Sequence, residues 1–131
     1  MGSVKALPSG MSGSIPLART KFMNKYERLK QELETTGTGK MKCFGNSMTP
    51  ILKNATLNTY VVQEEYEVGD IVFCKVKGRW IDSHLITKKS VEKDRIRYLI
   101  SNNHGFDNGW THLVYGKVVA AEDNHGNVKT F

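Results

Sequence analysis

Ser47 stands in the stretch Phe44-Gly45-Asn46-Ser47-Met48-Thr49-Pro50-Ile51-Leu52, between a Gly-Asn turn and a Met-x-Pro. A serine hydroxyl is a poor nucleophile until a neighbouring base removes its proton. Gly45 lets the backbone bend sharply, and Thr49-Pro50 keeps the next residues from running on as a regular helix or ladder. Such a turn holds Oγ at a surface and aims backbone N–H groups at an oxyanion. The same residue types also build an ordinary turn whose serine only caps it. The deciding feature is a base.

The chain has four histidines. An imidazole, with an ordinary pKa near ~6.5, accepts a hydroxyl proton at neutral pH without a shift. A lysine base needs burial to lower its pKa. His84 lies within Arg79-Trp80-Ile81-Asp82-Ser83-His84-Leu85-Ile86, which reads as a strand. His104 lies in a loop, His112 at a strand start and His125 in a terminal turn.

The elements that must position these residues are set by the hydrophobic pattern. Residues 23–36 read as a docking helix: Asn24 and Glu27 form a capping-box pattern, Tyr26, Leu29 and Leu33 share one face, and Gly37 and Gly39 end it. With no second helix after it, a helix-turn-helix is not expected. From residue 40 the period changes to two. Residues 40–44, 57–63, 70–78, 79–89, 96–101 and 112–123 read as strands, with a hairpin turn at Lys77-Gly78 and a bulge candidate at Gly116. In the third of these, Ile71 and Phe73 face one way and Val72, Cys74 and Val76 the other. Six or so short, closely spaced strands predict a curled, mainly β domain over residues 40–131.

Residues 1–22, rich in Gly, Ser and Pro without periodicity, read as a flexible basic arm. The net charge is +6, and residues 1–40 hold seven Lys/Arg against three Glu. The excess therefore sits mainly outside the β region, which weakens a reading as a nucleic-acid-binding β-barrel. Cys43 and Cys74 have neither the spacing nor the partners of a zinc site and read as reduced thiols on strands, so no metal or cofactor is expected. No apolar run of ~18 residues exists to span a membrane, and no apolar core suggests a secretory signal. A cytoplasmic protein is expected.

Ser47-Met48-x-Pro50, then Gly69-Asp70-Ile71-Val72, then Ser83-His84-Leu85-Ile86, then Tyr98-Leu99-Ile100-Ser101-Asn102-Asn103 and Tyr115-Gly116-Lys117-Val118-Val119 together resemble the S24/S26 serine peptidase superfamily, in the same order. That superfamily contains signal peptidases and the self-cleaving SOS repressors and mutagenesis proteins. The resemblance covers about residues 40–120. It implies a small, coiled, partly barrel-like antiparallel β-domain in which a serine attacks a peptide carbonyl, with lysine or histidine as base. Carried onto this chain, it gives Ser47 as nucleophile and His84 as general base. Asn46, Met48 and Pro50 would shape the turn or the oxyanion site. Gly69 and Asp70 would open the core hairpin, Asn103 would match the later Asp-Asn element, and Asp107 would support the histidine. Asp107 sits in a Gly-rich stretch, so an Asx turn is an equal reading for it. Leu85 stands where the superfamily has arginine. One residue of hairpin register decides whether His84 or Ser83 meets Ser47, and Ser83 could not act as base.

Three functions are then open. The first is a peptidase acting on a polypeptide substrate or on its own N-terminal arm. The second is a degenerate member serving protein association, for which exposed strand edges would allow a homodimer. The third, weaker, is nucleic-acid binding.

Overall fold

The structure, a computed structural model, describes residues 23–131; the arm expected over residues 1–22 lies outside the described residues. Helix α1 (Lys25–Thr36) starts where Asn24 accepts from the Glu27 N–H while the Glu27 carboxylate accepts from the Asn24 N–H. It ends at Gly37, whose φ of 82° is a left-handed conformation that glycine adopts without strain. Leu29 and Leu33 are its buried residues.

Eight strands come after the helix: β1 (Thr38–Cys43), β2 (Thr56–Val61), β3 (Ile71–Val76), β4 (Arg79–Val91), β5 (Ile96–Ser101), β6 (Asp107–Thr111), β7 (Val114–Glu122) and β8 (Val128–Thr130). All pairs are antiparallel. The sheet order is β1-β2-β7-β3-β4-β5-β6, with β8 also paired to β7. The path runs from β1 to β6 without closing, so the expected partly barrel-like form is an open sheet. Two strands escape the period-two reading. In β6, Asp107-Asn108-Gly109 looks like turn sequence, and β8 is only 3 residues long and fully exposed.

Strand β3 is buried on both faces, as its alternation predicts. Ile71 and Phe73 join a core with Leu29, Leu33, Tyr60 and Val118, while Val72, Cys74 and Val76 join a second core with Ile86, Tyr98 and Ile100. The Lys77-Gly78 turn has φ values of 51° and 79°, both positive as a type I′ hairpin requires. At Gly116 the reason for glycine is close approach. A Cβ there would lie 3.1 Å from Leu33 and 3.2 Å from the Val61 carbonyl.

Register shifts interrupt several of the ladders, and two of them lie beside the Ser47 turn and the strand that faces it. Val72 pairs with His84 but Cys74 with Ile81, so Asp82 and Ser83 together oppose Phe73. Ile100 pairs with Gly109 but Ser101 with Asp107, so Asn108 is the extra residue on β6. Each bulge re-aims side chains that strict alternation would send elsewhere.

Leu33, 2 % exposed, ties the helix to the sheet. Leu33→Ala should lower the unfolding free energy by about 2–5 kcal/mol in urea titration. An unchanged midpoint would mean that the helix does not dock.

Candidate active site

Ser47 comes after β1 in a turn over residues 46–51. Gly45 enters it with φ 109°, and its N–H donates to Asn54 Oδ1 at 2.7 Å. The Thr49 N–H and hydroxyl both donate to the Asn46 carbonyl, the Leu52 N–H donates to the Met48 carbonyl, and the Thr49-Pro50 bond is cis. Met48 is buried in the first core and anchors the turn from below. Pro50 is exposed. Among the described residues, no acceptor pairs with the N–H groups of Ser47 and Met48. Both N–H groups belong to the Ser47 turn itself.

The turn is gripped by the β5–β6 connection. The Asn103 N–H donates to the Ser47 carbonyl at 2.8 Å, and Asn103 Nδ2 to the Thr49 carbonyl at 2.9 Å. His104 Nε2 donates to the Asn46 carbonyl at 3.0 Å. His104, read from sequence as a loop residue, is therefore a strut of the turn. His112 is near Arg95, and His125 sits in the exposed β7–β8 turn.

His84 comes from β4. Its Nε2 lies 2.9 Å from Ser47 Oγ. Its Nδ1 lies 2.7 Å from Asn108 Oδ1. An amide oxygen only accepts, so Nδ1 carries the ring proton and Nε2 turns its lone pair to the serine hydroxyl. The geometry is a Ser-His-Asn hydrogen-bonded chain, the arrangement of side chains also found in Ser-His-Asp and Cys-His-Asn sites. The one-residue register question at Ser83-His84 is answered by the β4 bulge. Because two residues oppose Phe73, His84 meets Ser47, and Ser83 is buried with its hydroxyl 3.4 Å from Asp82 Oδ1.

Asp107 is not the histidine's partner. Its Oδ1 accepts from Ser101 Oγ at 2.6 Å, and Ser101 in turn is 3.0 Å from Thr87 Oγ1. The bulge sends Asn108 toward His84 and leaves Asp107 exposed. The expected supporting acid is thus corrected to a neutral amide one residue on. No period-two pattern reports a bulge, and "FDNGW" carries no strand signal.

Gly69 and Asp70 steady β4 just beyond His84. The Gly69 N–H donates to the Ile86 carbonyl at 2.8 Å, and the Ile86 N–H donates to the Asp70 carbonyl at 2.9 Å. Asp70 Oδ1 also faces Lys117 Nζ at 3.8 Å. Below the bulge lies a buried polar chain that no sequence pattern indicates. Tyr60 OH donates to the Asp82 carbonyl at 2.8 Å, accepts from Asn58 Nδ2 at 3.4 Å and lies 3.1 Å from Cys43 Sγ. Thr56 Oγ1 donates to Asn58 Oδ1 at 2.7 Å and completes it. Every member has a partner, as a buried network needs. The network holds the carbonyl two residues before His84.

Burial, and then the nearby Asp82 carboxylate, push the Cys43 thiol from its ordinary 9.0 up to about 12; burial also raises Cys74. The folded state therefore keeps protons that the unfolded chain gives up. That contribution to stability is full below pH 9.0 and is lost as pH climbs toward about 12. Urea midpoints should fall across that window, and neither thiol should react with a disulfide reagent at about pH 8 before unfolding. Fast native-state reaction would contradict the buried chain.

Among the described residues there is no cluster of His, Cys, Asp and Glu able to hold a metal, and no helix is long and apolar enough to cross a membrane. Comparison with protein-family models, curated proteins and solved structures finds no match for the chain.

Proposed function

We propose that the protein is a serine peptidase of Ser/His type, with Asn108 as the histidine's positioning residue. The observation that carries this is the pair of contacts on one imidazole, 2.9 Å to Ser47 Oγ and 2.7 Å to Asn108 Oδ1. His84 takes the Ser47 proton as Oγ bonds to the peptide carbonyl carbon. The charge that develops on the carbonyl oxygen meets the N–H groups of Ser47 and Met48, which have no acceptor among the described residues. The imidazolium then gives its proton to the leaving amine as the C–N bond breaks. Water, deprotonated by the same imidazole, releases the acyl group and restores the serine.

Asn108 fixes the tautomer and the ring plane but carries no charge. The imidazolium gains less from it than from a carboxylate, and the site is a slower relative of an aspartate-supported one. The acyl-side substrate residue is small. Beside Ser47, the gap bounded by Cys43, Gly45, Met48 and Ser83 is narrow, which favours a small side chain there. The two buried free thiols, Cys43 and Cys74, are consistent with a reducing compartment such as the cytoplasm.

The test is cleavage of fluorogenic peptides carrying Ala on the acyl side. Ser47→Ala or His84→Ala should lower kcat/KM by on the order of 10⁴-fold. Asn108→Ala should lower kcat by on the order of 10²-fold through a misplaced ring, while Asn108→Asp should match or exceed the wild type. Equal cleavage by Ser47→Ala and wild type would exclude the reading.

A further inference from the structure

A second, much larger concavity opens beside Asn108, the residue that holds the imidazole. It measures about 750 Å³ and is lined by Tyr26, Lys77, Arg79, Trp80, Phe106 and Asn108, among others. Asn108 thus belongs both to the Ser-His-Asn chain and to this groove, which adjoins the chain on the side of His84 away from Ser47. Its floor is aromatic: Tyr26 and Trp80 stack at 5.9 Å between ring centroids, and Trp80 stacks on Phe73 at 5.5 Å. Phe106, 63 % exposed, stands at its wall on the β5–β6 turn. Its rim is cationic. Lys77 and Arg79 are both exposed, neither pairs with an acid among the described residues, and no Asp or Glu lines the groove. The nearest acid to Asn108 in sequence, Asp107, is engaged by Ser101.

A cavity this size exceeds what one side chain needs and suits a peptide segment of several residues. Aromatic floor and basic rim together select apolar or aromatic side chains interleaved with carboxylates. We infer that this groove is an extended subsite that holds an acidic, aromatic segment of a separate polypeptide substrate, flanking the bond cut at Ser47. The inference rests on the peptidase reading. The chain's own arm is a poor occupant on charge alone: residues 1–22 contain Lys5, Arg19 and Lys21 and no acid. Like charges facing Lys77 and Arg79 oppose its docking, so cleavage is expected in trans.

Binding is measured with Ser47→Ala, which removes turnover, by fluorescence anisotropy of a labelled dodecapeptide of Glu and Phe and of its Lys-for-Glu counterpart. The acidic peptide should bind at least ~10-fold more tightly, and salt should erase the difference. Lys77→Asp and Arg79→Glu lie in an exposed hairpin, where aspartate tolerates the positive φ of residue 77; together they should cancel or invert the preference. Equal affinity for the two peptides, or a preference untouched by the double variant, would overturn the subsite. Labelling of wild-type Ser47 by a small phosphonate, which does not reach the groove, reports the peptidase reading separately. Labelling with no charge preference removes the subsite alone, and charge preference without labelling keeps the groove while removing the peptidase.

Discussion

Two residues, Asp82 and Ser83, oppose one, Phe73, and that mismatch is the constraint on which the site rests. Phe73 is fully buried between Tyr60, Trp80 and Tyr115. It cannot shift to restore a regular ladder without breaking that packing. The extra residue on β4 is therefore locked in, and it turns His84 toward Ser47 while burying Ser83. The Tyr60 hydroxyl fixes the bulge by donating to the Asp82 carbonyl. A second bulge, on β6, delivers Asn108 to the other ring nitrogen. Both side chains of the relay beyond the serine are thus aimed by local departures from strand geometry, which is a recurrent use of bulges near active sites.

The serine turn depends on the same sheet by a different route. Asn103 and His104, from the loop that leads into β6, hold three of its carbonyls. The loop that clamps the Ser47 turn therefore runs straight into the strand that carries Asn108. Displacing this connection would move the turn and the positioning amide together. The groove beyond Asn108 shares this framework, since Phe106 lies on the same connection and Trp80 lies near the start of the strand that carries His84. His84, Asn108 and most of the groove lining come from one pair of adjacent hairpins, β3–β4 and β5–β6.

Much of this was legible in the sequence. The capping box, the Leu29/Leu33 stripe and the two-sided alternation of β3 report directly on burial, because each rests on a fixed period. Ser47 and His84 could be named from residue type, neighbours and order along the chain. Asn108 could not. Its position depends on a register slip between β5 and β6, and register is a tertiary property that a local pattern does not encode. The Tyr60-Asn58-Thr56-Cys43 chain was equally hidden, since each member alone is an ordinary strand residue. The signal that would have helped is the adjacency of Asp107 and Asn108: one slip exchanges an acid for an amide.

Activation of Ser47 by His84 is tested most directly by mass mapping of the adduct formed when the native protein meets a serine-directed phosphonate. A single adduct on Ser47, absent in His84→Ala, is the expected result. No adduct, or an adduct spread over Ser83, Ser101 and other hydroxyls and indifferent to His84, would contradict it.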